Sequence, residues 1–309
     1  MFFSVVEYLA KGWAFVLVFT VLAAAVKSAA MGVARYISNK LLLKKLNGKW
    51  VVITGATDGI GLGMAREMAA QGANLILISR SKEKLADVKK MFDDKVQVEI
   101  ASADFTEDID FGKLLAPFKS KDVRMLVNNV GINAQCPTKY MEHTQQAEDD
   151  IIKVNIQNTL KITREFLSWE SAPKAMKYVI TTGSMLGFIP CPYQQIYTGT
   201  KAFLHMWTEA MAEEYSGYYH FELLMTGLVC SKLSGARKSG LFVPTSDYYG
   251  KCCVRTMGYS TITYPYLPHA FLGFLYALAP RRFMPLVFKH IGASVRLRRK
   301  LREERAKKE

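Results

Sequence analysis

The sequence predicts an α/β protein built on a doubly wound parallel sheet, with an N-terminal transmembrane helix and a C-terminal membrane-associated segment. Three observations carry that expectation. Short apolar runs alternate with helix-period stretches across residues 50–226, a glycine-rich turn follows the first run, and a long uncharged stretch precedes both.

Residues 12–26 carry no charge, and beyond Lys27 the apolar run continues to Ala34. A helix of about 20 mostly apolar residues spans a bilayer, and Lys27 near one end can snorkel its ammonium to the interface. A cleaved signal peptide, suggested by Ala23-Ala24-Ala25, and a buried core helix are the alternatives. The flank after the run holds Lys27, Arg35, Lys40, Lys44, Lys45 and Lys49, whereas Lys11 before it is offset by Glu7, so positive-inside orientation puts the main domain in the cytosol. Residues 1–47 are thus expected as anchor and basic linker, 48–263 as the α/β domain, and 264–309 as a membrane-associated or lid segment with a basic tail.

Within the α/β domain, strands are expected near 50–54, 74–78, 96–101, 123–127, 177–183 and 220–226, each an apolar run bounded by turn residues. Helices are expected near 60–71, 81–93, 107–119, 146–170 and 194–216. This alternation places ligands outside the carboxyl ends of the strands. Residues 264–292 are aromatic and apolar but contain Pro265, Pro268, Pro280 and Pro285 and are divided by Arg281, Arg282, Lys289 and His290. Four prolines argue against a straight span, which leaves an interfacial or re-entrant segment, or a soluble substrate lid.

The net charge of +14 resides in the ends. Residues 1–49 hold seven Lys or Arg against Glu7, residues 281–309 hold eleven against three Glu, and the middle holds 23 of each sign. A neutral folded domain does not present a nucleic-acid groove, whereas basic ends suit anionic lipid headgroups. Cys136, Cys191, Cys230, Cys252 and Cys253 lack disulfide or zinc spacing, so no metal is implied.

The turn Thr54-Gly55-Ala56-Thr57-Asp58-Gly59-Ile60-Gly61 places Gly55, Gly59 and Gly61 between a strand and a helix. Glycine permits positive φ and close approach, so a pyrophosphate can rest on the amides of the helix N-terminus. An ordinary tight turn is the bland alternative. At the end of the second strand stand Ser79 and Arg80 rather than the acidic residue that would hold a ribose 2′-hydroxyl. Arg80 can pair with a 2′-phosphate, which favours NADPH, or can be a solvated surface cation. Asp104 can accept from the adenine amine or cap the next helix, and Asn128, Asn129 and Gly131 can line the cofactor ribose or form an Asx turn.

Tyr197 and Lys201 lie four apart in a helix-period stretch and share a face. A nearby ammonium lowers a phenol from about 10 toward the range in which it gives a proton to an alkoxide. Ser184 follows a strand at the carboxyl edge, where its hydroxyl can bond a substrate carbonyl. Asn155, a poor helix former inside an expected helix, suits a role in holding a water beside Lys201, or is a satisfied buried amide.

Taken in order, TGATDGIG, NNVG, Asn155, Ser184 and the Tyr197–Lys201 motif resemble the short-chain dehydrogenase/reductase family over about residues 48–235. The resemblance implies Tyr197 as general acid, Lys201 as its pKa-lowering partner and ribose ligand, Ser184 as carbonyl anchor and Asn155 as part of a proton relay. It also implies that the segment after the sixth strand, with Val229, faces the cofactor. LISRSKEKL, ADFT, LVNNVG, YTGTKAF and EEYS, with the apolar N-terminus and basic tail, resemble more narrowly the very-long-chain 3-oxoacyl-CoA reductase branch, which includes 17β-hydroxysteroid dehydrogenases of types 3 and 12.

That branch implies NADPH-dependent reduction of long-chain 3-oxoacyl-CoA at the endoplasmic-reticulum membrane, with the catalytic domain facing the cytosol. Its partners are the lipid bilayer and the other enzymes of fatty acid elongation, and a homodimer is compatible with it. Reduction of a steroid or other lipid ketone, or a catalytically silent NADPH-binding scaffold, are the alternatives. One departure stands out: the family carries a proline after the sixth strand, where this chain has Thr226-Gly227. Lys307 and Lys308, with Arg305, form an imperfect dilysine retrieval signal or a solvated tail.

Overall fold

The computed structural model describes residues 32–92, 95–134, 137–169, 176–278 and 283–306, with side chains through residue 297. The expected span over residues 12–34 lies outside them apart from its last three residues. Among the described residues, no helix is long and apolar enough to cross a membrane.

Seven parallel strands form one sheet in the order β3-β2-β1-β4-β5-β6-β7. They are β1 (Trp50–Thr54), β2 (Asn74–Ser79), β3 (Val98–Ser102), β4 (Val123–Asn128), β5 (Lys177–Thr182), β6 (Tyr219–Leu224) and β7 (Ile262–Thr263). β1 and β5 are buried along their whole length, as expected for strands rich in β-branched residues and covered on both faces. The chain winds outward in both directions from β1 and β4, so a crevice opens at their carboxyl ends. β7, a two-residue edge strand, is too short to produce a periodic signal.

The helices are α1 (residues 32–46), α2 (Gly59–Ala70), α3 (Lys82–Lys90), α4 (Phe111–Leu115), α5 (Gln145–Ile152), α6 (Asn158–Ser168), α7 (Gln195–Glu214), α8 (Ser246–Thr256), α9 (Leu267–Leu278) and α10 (Phe283–Ala306). One core lies on each side of the sheet. Met64, Met68, Tyr249 and Val254 belong to one, and Ile162, Phe166 and Phe221 to the other. α1 joins the first core through Leu42, Leu43 and Leu46, and Asn39 donates to the Val254 and Met257 carbonyls at 2.8 and 2.9 Å. The part of the expected basic linker from residue 32 to 46 is therefore a packed helix of the domain.

Two expected helices change shape, and the segment after them is helical. The stretch 107–119 shortens to α4 and a 3₁₀ turn at Ala116–Phe118 that carries Pro117. The stretch 146–170 is interrupted between α5 and α6 by a π turn, Lys153–Gln157. Within 264–292, Leu267–Leu278 form α9 and the stretch from Phe283 the first turns of α10; Pro268 and Pro285 fall in the opening turns of these helices, where a missing N–H costs nothing.

Candidate active site

The cofactor side is built at the ends of β1, β2 and β4. Gly55 and Gly59 adopt φ of +66° and +59°, the left-handed region that favours glycine. Gly61 is required for a different reason: a Cβ there would sit 2.3 Å from the Gly55 carbonyl oxygen. Asp58 caps α2 by accepting from the Gly59 N–H at 2.8 Å. Its ion pair with Lys232 holds the carboxyl below the usual range. A Cβ on Gly59 would meet nothing nearer than Ser231 Cβ at 3.9 Å, so there is room beside Gly59 at the N-terminus of a twelve-residue helix. That cradle fits a pyrophosphate.

Thr57 and Ser79 hydroxyls lie 2.8 Å apart and join the glycine turn to the end of β2. Arg80 is exposed, and its Nη1 is 3.9 Å from Asp104 Oδ2. An exposed pair of this kind is weak, which leaves the guanidinium able to turn to a phosphate. Asp104 does not cap the next helix. Its Oδ1 accepts from the Thr106 N–H and hydroxyl at 3.0 and 2.8 Å, while Asp110 caps α4.

Asn128 corrects an expectation. Its Nδ2 donates to Thr163 Oγ1 at 2.9 Å beneath the sheet, so its buried side chain does not line the cofactor ribose. The final residue of β4 turns inward because pleating alternates side chains between faces, and α6 covers the face it meets. Asn129 is a brace: its Nδ2 donates to the Thr54 and Gly55 carbonyls at 3.0 and 3.3 Å, and its Oδ1 accepts from Thr182 at 3.2 Å. Gly131 lies against Asn155 and Lys201, where a Cβ would stand 3.3 Å from Asn155 Oδ1 and 3.7 Å from Lys201 Nζ.

Ser184, Tyr197, Lys201 and Asn155 come together. Tyr197 and Lys201 lie one turn apart on α7 and are both buried; Ser184 follows β5 and is the hydrogen-bond partner of the phenol. Lys201 Nζ donates to the Thr182 carbonyl at 2.8 Å and sits 5.7 Å from the centre of the tyrosine ring. Asn155 lies in the π turn. Its amide exchanges bonds with Ile132, accepting at 2.8 Å and donating at 2.9 Å, and donates to Thr200 at 3.1 Å. The π turn supplies the distortion that an asparagine inside an expected helix foreshadowed.

The electrostatic expectation is reversed in this state. Burial pushes the Tyr197 phenol up to about 12 against the opposing bond from Ser184, and burial pushes the Lys201 ammonium down to about 8. The ammonium points at a carbonyl rather than at the phenol oxygen, so desolvation outweighs its attraction for phenolate.

Ser184 and Tyr197 line a cavity of about 480 Å³. Ser184, Tyr197 and Ile60 form its floor, Thr226–Val229 one side, and Leu272 and Tyr276 of α9 with Phe288 and Ile291 of α10 the apolar roof. Asn133 and Gln194, joined at 3.0 Å, also line it; spacing in the sequence gave no signal for either. The missing proline finds its account here. Thr226 receives the Met185 N–H on its carbonyl at 2.9 Å and the Tyr249 hydroxyl on its own at 3.1 Å, so hydrogen bonds hold the backbone at a position where a pyrrolidine ring would restrict it covalently.

The model of the short chain dehydrogenase family matches residues 49–239. The very-long-chain 3-oxoacyl-CoA reductase of Mus musculus is 31% identical over 277 residues, 88% of each chain. The short-chain dehydrogenase from Sphingobium yanoikuyae in complex with NADPH superposes with a TM-score of 0.62 at 22% identity, covering 76% of this chain and all of that one. The 3-ketoacyl-(acyl-carrier-protein) reductase from Brucella melitensis complexed with NADH gives 0.63 at 23%, covering 71% and 96%. With its parallel sheet, its glycine cradle and its Ser184–Tyr197–Lys201 cluster, the chain belongs to the short-chain dehydrogenase family of oxidoreductases.

Proposed function

We propose that the chain reduces long-chain 3-oxoacyl-CoA to 3-hydroxyacyl-CoA with NADPH. The observation that carries the substrate class is the apolar lining that α9 and α10 contribute to the cavity holding Ser184 and Tyr197. The resemblance to 3-oxoacyl-CoA reductases over most of the chain supports it. For the cofactor, the fold alone does not choose, since one structural neighbour holds NADPH and another NADH. Arg80 at the end of β2 favours the 2′-phosphate.

The glycine turn of Gly55, Gly59 and Gly61 with Arg80 would hold the dinucleotide, which when bound would supply the hydride for the ketone carbon. Ser184 donates to the carbonyl oxygen and draws charge onto it, and Tyr197 gives that oxygen its proton as the alkoxide forms. Lys201, at about 8, stays largely protonated at neutral pH and restores the tyrosine proton, with Asn155 holding the π turn beside it. Ketone, hydride and proton together give the secondary alcohol.

The reading extends to a membrane setting. Phe271, Phe274 and Leu278 of α9 and Phe283 and Leu286 of α10 turn outward from the cavity roof and are exposed. No Asp or Glu stands between Asp247 and Glu303, whereas ten Lys or Arg do. An apolar face with basic flanks suits the anionic cytosolic leaflet of the endoplasmic reticulum, where the substrate's acyl chain partitions. There the chain works beside the other elongation enzymes, with residues 12–34 as anchor.

Oxidation of NADPH by the detergent-solubilised full chain tests this, with 3-oxoacyl-CoA of several lengths set against steroid ketones. The expected outcome is turnover rising with acyl length and lost by about a thousandfold in Tyr197→Phe, with NADPH binding retained. Turnover of steroid ketones alone would move the assignment to a steroid dehydrogenase. Unimpaired Tyr197→Phe would remove the proton donor.

A further inference from the structure

His269 stands outside the catalytic set, yet it is fully buried in the first turn of α9. Its ring joins two cavity-lining segments: Nδ1 accepts from the Gly227 N–H at 3.1 Å, and Nε2 lies 3.2 Å from the Phe242 carbonyl oxygen. An amide N–H only donates and a carbonyl only accepts, so the ring is neutral with its proton on Nε2. Burial also pushes the imidazole below its ordinary range. The fit is close on every side. A Cβ on Gly227 would fall 2.8 Å from the ring, and Tyr266 and Tyr249 pack against it with centroids at 5.1 and 5.4 Å.

The segment that His269 holds has a definite place in the cavity. Thr226 binds the Met185 N–H beside Ser184, and Ser231 lies next to Gly59 of the glycine turn. Residues 226–231 therefore bridge the catalytic hydroxyls and the pyrophosphate cradle, the interval that a nicotinamide has to occupy. On α9, Leu272 and Tyr276 follow His269 by three and seven residues, share its face and line the cavity.

We propose that His269 is a positioning residue: it latches α9 to the segment Thr226–Val229 and so fixes the nicotinamide against the ketone under the roof. This rests on the reductase reading above. The latch needs an acceptor toward Gly227 more than a donor toward Phe242, because the Gly227 bond holds the cavity-bridging segment itself.

Three variants of the full chain separate these contacts. His269→Phe keeps the ring packing and loses both bonds, His269→Asn keeps the acceptor, and His269→Gln keeps the donor. In His269→Phe, kcat falls about tenfold or more while the KM of the acyl substrate holds, as expected for a misplaced reacting pair. The deuterium isotope effect on kcat, measured with NADPH labelled at the transferred position, rises, and the nicotinamide emission of bound NADPH changes. His269→Asn recovers most of this and His269→Gln little.

Unchanged kcat, isotope effect and emission in His269→Phe would overturn the proposal. So would His269→Asn performing no better than His269→Gln, a comparison that stands even where the Phe variant does not fold. The emission needs no ketone, so it reads the latch even where the wild type reduces no 3-oxoacyl-CoA; that result would sink the substrate assignment alone.

Discussion

The two walls of the catalytic cavity are held by different kinds of constraint. On the cofactor wall, the backbone is close-packed and braced: Gly61 faces the Gly55 carbonyl, and the Asn129 side chain is tied to both β1 and the end of β5. On the roof, side chains of α9 and α10 meet the domain through separate latches, His269 with Gly227 and Arg296 with Glu142. Close-packed backbone has one solution, whereas a latched helix can be loosened contact by contact. The cofactor wall should thus fail steeply when altered, and the roof gradually.

Gly61→Ala is the severest test of that contrast. The added methyl meets a backbone carbonyl oxygen at 2.3 Å and, at 2.5 Å, Nδ2 of an Asn129 side chain that Thr54, Gly55 and Thr182 hold in place. Overpacking of this kind costs about 1–3 kcal/mol, which lowers Tm by several degrees, on the order of 2–4 °C per kcal/mol at this size. NADPH affinity falls with it. Wild-type melting and wild-type NADPH binding in this variant would show that the glycine turn is not the rigid wall described.

Arg80→Ala acts on the same wall but on one contact. Loss of a charge-assisted bond to the 2′-phosphate should weaken NADPH about tenfold or more and leave NADH nearly unchanged, read as the ratio of the two dissociation constants. An unchanged ratio would leave Arg80 as a solvated cation paired with Asp104.

The same contrast explains what could be read from the residues. The sheet, the glycine turn and the Ser184, Tyr197 and Lys201 cluster are written in local spacing, because strand period, positive φ and a four-residue helical offset are all short-range demands. Asn128 was misplaced because spacing does not report which face of the sheet α6 covers. His269, Asn133 and Gln194 left no trace because their partners, Gly227 and each other, are 42 and 61 residues distant. The tyrosine's acidity was misjudged for a related reason: one helical turn gives proximity to Lys201, but burial and the Thr182 carbonyl decide the direction.

The mildest expected effect belongs to the second roof latch. Arg296 of α10 donates to both carboxylate oxygens of Glu142 at 2.6 and 2.8 Å, and its guanidinium stacks 5.3 Å from the Tyr193 ring. Tyr193 has φ of +69°, which a tyrosine adopts only when its surroundings hold it there, and it leads through Gln194 directly into the catalytic helix α7. Glu142→Gln should therefore speed amide hydrogen exchange in α10 and raise the KM of a long-chain substrate a few-fold, with Tm nearly unchanged. Arg296 depresses the Glu142 carboxyl to about 2 from 4.5. A depressed carboxyl stabilises the folded latch fully above 4.5 and loses that contribution as pH falls through 2. In the wild type, exchange in α10 should rise relative to the sheet across that window, and in Glu142→Gln the rise should be absent. Equal pH dependence in both proteins would free the roof from this pair.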